Sequence, residues 1–177
     1  MKWATVLRKS TVPLGRQMLR SPITTTSALR PSVLGGVDGV VTSFAIVAGA
    51  SAGALSSRTV VIVGTSSLLA DGVSMGVSEY LSSSAHTPDA PSPVYLGVVC
   101  FLSFVLCGAV PITAYLAAQN SLVASAASAF AALITLGAAR ARVAGGDILL
   151  GVVQTAILGG AAGLVAYAVG MLAANFA

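Results

Sequence analysis

Asp71-Gly-Val-Ser-Met75-Gly-Val-Ser-Glu79 places two carboxylates and a thioether four residues apart, inside a run apolar enough to cross a membrane. At helical pitch these three side chains stack along one face. A third carboxylate, Asp38, sits inside the preceding apolar run, with Thr42 one turn beyond it. A charge at mid-bilayer costs ~2.5–3.5 kcal/mol or more, and this chain has only five acidic residues to place. Oxygen ligands suit hard or borderline divalent cations, whereas a thioether has little affinity for Mg²⁺ or Ca²⁺. Asp38, Asp71, Met75 and Glu79 together point to a borderline metal such as Fe²⁺, Mn²⁺ or Co²⁺. In lipid an uncompensated carboxylate favours its protonated form, and metal needs it deprotonated, so binding releases protons. One set of residues can then exchange metal for protons, the physical minimum for an antiporter.

The elements that position these groups follow from composition. Of 177 residues, 56% are hydrophobic and 8% charged, against ~25% charged in soluble domains. The bilayer must be the solvent. Each span needs ~20 mainly apolar residues. Five are predicted, near 33–54, 60–82, 94–117, 121–139 and 147–173, giving an all-α integral membrane protein. The domain reading is a basic arm over 1–32, a five-helix transmembrane unit over 33–173 and a short tail over 174–177. Pro88, Pro91 and Pro93 make the connection after the second span an irregular loop, and Pro111 should kink the third span. Asp147, after Gly145-Gly146, suits an N-cap of the fifth. Gln154 and Thr155 suit interhelical hydrogen bonds or a place along the path. His86 and Asp89 are loop residues without an assigned role.

Five spans put Lys2, Arg8, Lys9, Arg16, Arg20, Arg30, Arg140 and Arg142 on one side and Arg58 alone on the other. The positive-inside rule then gives a cytosolic N-terminus and a C-terminus across the membrane. In that frame Asp38 and Glu79 lie at similar depth near the cytosolic surface, with Met75 and then Asp71 deeper. Ser67, Ser74, Ser78 and Ser82 widen the stripe into a polar track, of which Thr42, Ser67 and Ser78 are read as lining the path. The geometry is a ladder rather than a cage. The first 30 residues, basic and rich in Ser and Thr, have the composition of a mitochondrial transit peptide, but a disordered polybasic arm against anionic cytosolic lipid is the favoured reading.

Bland readings stand beside these. Cys100 and Cys107 are seven residues apart, ~10 Å along a helix, too far for a disulfide, and read most simply as core thiols. Glu79 could snorkel to the surface, and a methionine in such a helix is more often core than ligand. The Gly-xxx-Gly pairs Gly35/Gly39, Gly49/Gly53, Gly72/Gly76 and Gly159/Gly163 allow tight helix packing or dimerisation, although glycine is common in membrane helices. No catalytic constellation and no nucleic-acid motif is evident, so the chain is not read as an enzyme.

At these residues the chain resembles the vacuolar iron transporter family, in particular its shorter, nodulin-like branch. The likeness rests on Val37-Asp38-Gly-Val-Val-Thr-Ser-Phe44-Ala-Ile-Val-Ala-Gly49 and on Leu69-Ala-Asp71-Gly-Val-Ser-Met75-Gly-Val-Ser-Glu79-Tyr80-Leu-Ser82. Gly108-Ala-Val-Pro111 and Leu158-Gly-Gly-Ala-Ala-Gly-Leu-Val-Ala-Tyr167 support it. It implies a homodimer with the ion path between protomers, and proton-coupled export of Fe²⁺, with Mn²⁺ as a second cargo, from the cytosol. It carries the family's intramembrane Asp onto Asp38 and its pathway Met onto Met75. No resident cofactor is implied; metal is cargo and protons the coupling ion. Three departures bear on loading. Ser83 to Pro93 stands where many members insert a Glu- and Met-rich cytosolic domain. Arg30-Pro31 stands among positions that are often acidic, and Ser67 stands near a Glu of some members. The alternative they motivate is a non-transporting membrane subunit that keeps the scaffold. A vacuole-type membrane is the favoured residence, with the mitochondrial inner membrane and plasma membrane as alternatives.

Overall fold

The computed structural model describes residues 25–84 and 91–176. The 1–24 stretch of the basic arm, His86 and Asp89 lie outside them. Five helices follow one another: α1 Thr25–Ala52, α2 Ser57–Ser84, α3 Pro93–Ala117, α4 Leu122–Ala144 and α5 Ile148–Ala174. All five are long and apolar enough to cross a membrane, and the described residues contain no strand.

Two boundaries differ from the sequence reading. The first span was expected from 33, yet α1 begins at Thr25 and runs through Pro31. Pro31 is the seventh residue of the helix and lacks the N–H that would bond to the carbonyl four residues back, a loss that membrane helices tolerate where neighbouring groups satisfy the freed carbonyl. Leu29, Val33, Val37 and Val41 continue one stripe across Pro31, and all four line a single cavity. Ser32 closes the local turn by donating to the Ala28 carbonyl at 2.7 Å, while Ser103 of α3 donates to the Ser32 carbonyl at 2.5 Å. Arg30 thereby belongs to the first helix rather than to a preceding arm. The fourth span, expected to end at 139, continues to Ala144 and takes Arg140 and Arg142 into its last turns. Cations there favour the helix dipole, and Gly145, at φ 64°, stops the helix in a left-handed cap whose N–H bonds back to the Ala141 and Arg142 carbonyls.

The other signals behave as their chemistry dictates. Pro93 opens α3 at its first position, and α3 runs through the buried Pro111 without a break. Ser121 caps α4, accepting from the Ala124 N–H at 3.3 Å. Asp147 caps α5, one carboxylate oxygen accepting from the N–H groups of Leu149 at 2.7 Å and Leu150 at 3.2 Å. Cys100 and Cys107 are free thiols, the first buried and the second half-buried.

Helix α1 is the axis of the bundle, packing against all four others, and half of its spanning window is buried. Glycine lets α3 approach it. A Cβ on Gly39 would run into the backbone carbonyl of Phe104, and one on Gly35 into that of Cys100. Helix α2 meets α3 the same way, with Gly76 and Gly97 packed so that a Cβ on Gly76 would lie 2.9 Å from the Gly97 carbonyl. Gly49/Gly53 pack on α5, and Gly159/Gly163 on Leu133 and Phe44. All four Gly-xxx-Gly pairs are thus spent within the protomer. Two apolar clusters complete the core: Val47, Val60, Leu68, Phe104, Ile112 and Tyr115, and Val40, Phe44, Ala48, Ala129 and Leu133.

Candidate metal pathway

Four residues of α-helix turn through ~400°, so each step along Asp71, Met75 and Glu79 drifts ~40° around the axis. That drift decides what each side chain meets. Asp71 is exposed on the protomer surface, Met75 is half-buried, and Glu79 lies on the inward stripe with Gly72, Gly76 and Ser83, only 4% exposed. The stripe spirals from the outer face of α2 into the bundle.

Glu79 has two protein partners. Ser83, one turn on, donates to its Oε1 at 2.9 Å. The Arg30 guanidinium of α1 approaches the same oxygen at 3.4 Å. Sequence reasoning used Arg30 for orientation and as a departure from the family pattern, not as a site residue, because the first span was started beyond it, at 33. The four-residue spacing of Leu29, Val33, Val37 and Val41 was the signal that the helix continued.

This ion pair corrects the expected depths. Glu79 and Asp38 were placed level, but it is Arg30 that stands opposite Glu79. Antiparallel packing then carries Asp38, eight residues beyond Arg30 on α1, level with Asp71, eight residues before Glu79 on α2. The same register brings Gly64 of α2 against Ile46 of α1 further along the pair. Two carboxylates therefore lie about 12 Å, eight residues at ~1.5 Å each, beyond the Arg30–Glu79 pair.

Asp38 and Met75 share one cavity of about 720 Å³. Its walls are mainly apolar, from Val33, Val37 and Val41 of α1 and Val143 and Leu158 beyond, with Arg30 and Arg140 among its polar lining. Arg140 donates to Gln154 of α5 at 2.8 Å, the interhelical bond expected of Gln154. Thr155 also lines the cavity but donates to the Gly151 carbonyl of its own helix at 2.8 Å. Thr42 and Ser67 are half-buried, and Ser78 is exposed. Among the described residues no three His, Cys, Asp or Glu side chains converge on one point as a metal cage. Asp38 and Met75 thus set an oxygen and a thioether on one cavity, with the Asp71 carboxylate on an exposed face of the next helix.

A family model described as the VIT family matches residues 29–88 and 85–171, a stretch that contains every residue of this site. Relatives named "Vacuolar iron transporter" match a shorter part. The one from Toxoplasma gondii is 48% identical over 63 residues, 36% of this chain and 21% of that protein. Those from Plasmodium falciparum and Plasmodium berghei are each 42% identical over 58 residues, 33% of this chain and 21% of those proteins. The matched segments span about a fifth of the length of these relatives. With the family model matched over most of its length, this five-helix membrane chain belongs to the VIT family.

Proposed function

We propose that the protein is a dimeric, proton-coupled transporter that moves Fe²⁺, with Mn²⁺ as a second substrate, out of the cytosol across a vacuole-type membrane. The observation that carries this reading is the shared cavity of Asp38 and Met75, with Asp71 level with Asp38 on the neighbouring helix. A carboxylate beside a thioether favours a borderline ion over Mg²⁺ or Ca²⁺. The names of the relatives support iron as the cargo and a vacuole-type membrane as the residence.

A second copy supplies what one protomer lacks. Asp38 and Asp71 are both exposed on a protomer surface, among Leu34, Leu69 and Val73, which are exposed too. Carboxylates facing lipid cost roughly 2.5–3.5 kcal/mol each, and an isologous dimer covers both faces with one contact. Two half-sites across a two-fold axis then give a metal four carboxylates and two thioethers. The basic residues of the α1 and α4 ends favour the cytosol for that end of the bundle. Competition among Fe²⁺, Mn²⁺, Zn²⁺ and Ca²⁺ for uptake into proteoliposomes tests the reading. Fe²⁺ should be blocked by Mn²⁺ and left untouched by Ca²⁺ at the same concentration; an equal block by Ca²⁺ would remove the thioether from the selectivity argument.

A further inference from the structure

Arg30 lines the cavity that holds Asp38 and Met75, and it is the counter-charge of a buried carboxylate. The two halves of this pair differ in kind. Glu79 is 4% exposed and fixed by Ser83, whereas the Arg30 side chain is 72% exposed and touches it at 3.4 Å, long for a charge-assisted bond. The Arg30 side can swing to solvent, but Glu79 left alone and charged in the bundle is strongly unfavourable, so the pair opens only as something takes the place of Arg30. Glu79 must be met by a cation or a proton, and nothing obliges that cation to be Arg30. The other arginine lining the cavity, Arg140, is already engaged with Gln154.

We propose that Arg30–Glu79 is a displaceable charge gate beside the cavity, a built-in cation that yields to a divalent ion and resists a monovalent one. Potassium or sodium brings the same charge as the guanidinium and no hydrogen bond, so exchange gains nothing. A divalent ion brings twice the charge to a carboxylate already desolvated and oriented by Ser83. Once released, Arg30 turns to the aqueous side, and the ion stands two turns above Asp38 and Asp71. Arg30 is in this sense a specificity-determining residue, filtering on valence before Met75 selects among divalent ions. The inference rests on reading the cavity as a metal route.

The test compares wild type, Arg30→Ala, Arg30→Lys and the double variant Arg30→Ala/Glu79→Gln in two assays. One is Co²⁺ uptake into proteoliposomes with and without K⁺ in excess; the other is Co²⁺-dependent thermal stabilisation of the purified protein. Arg30→Ala should lower the KM for Co²⁺ and the Co²⁺ concentration giving half-maximal stabilisation by roughly three- to tenfold. It should also make both newly sensitive to K⁺. Arg30→Lys should stay near wild type, and the double variant should lose the gain. Arg30→Ala indistinguishable from wild type in affinity and K⁺ response would overturn the gate, as would a gain that survives in the double variant. A wild type that fails to transport sinks the transport reading instead, and the stabilisation assay still judges the gate.

Discussion

Asp38 on α1 and Asp71 on α2 stand level on neighbouring antiparallel helices, each eight residues from the Arg30–Glu79 pair, and among the described residues neither has an ion-pair partner. Two such carboxylates in a membrane need either a shared cation or protons, and the choice between these is the coupling that an antiporter requires.

Proton release should therefore accompany metal binding. Adding Co²⁺ to the purified protein in weak buffer should acidify the solution, and the apparent affinity should weaken as the pH falls, because protons and metal compete for the same oxygens. Asp38→Asn should reduce the release. Binding without acidification at any pH would separate these carboxylates from the metal.

Asp38 and Met75 should fail differently. Asp38→Ala removes a charged ligand and should cost at least roughly tenfold in uptake at limiting metal. Met75→Leu keeps the volume and removes the sulfur, so uptake should persist while the preference for Fe²⁺ over Ca²⁺ falls several-fold. Competition assays on the two variants separate the roles.

The α1–α3 contact should tolerate no side chain at Gly39. A Cβ there meets the Phe104 backbone, which cannot yield as a flexible side chain would, so Gly39→Ala should destabilise by ~1–3 kcal/mol. Thermal unfolding in detergent measures it. Gly146→Ala, with its nearest neighbour 4.0 Å away, should leave the transition in place.

The five spans were legible because length and apolarity alone specify them, and the Asp147 cap because its chemistry is local. The start of α1 was not legible in the same way. The span was started at 33, beyond Pro31, yet the four-residue apolar stripe through Leu29 and Val33 carries the helix through that proline. From that single misplacement followed the wrong depth for Asp38 and the missed pairing of Arg30 with Glu79. The ladder on α2 was legible in its residues but not in its surroundings. Spacing by four cannot tell a straight stripe from one that drifts ~40° per step, and the drift is what buries Glu79 and exposes Asp71.

The open face of α2 should be a protomer contact. In a background lacking Cys100 and Cys107, Ser74→Cys, on the exposed face near Asp71, should give a cross-linked dimer with a short bifunctional thiol reagent. Val123→Cys, 78% exposed on α4, should not. Cross-linking from Val123→Cys alone would move the interface away from the carboxylates.

Uptake of Fe²⁺ into proteoliposomes under an imposed inside-acid pH gradient tests the central claim most directly. Wild type should accumulate Fe²⁺ against its gradient, collapse of the pH gradient should stop it, Asp38→Ala should abolish most of the flux and Met75→Ala should lower it. Uptake that ignores the pH gradient, or that is undiminished in both variants, would contradict the account.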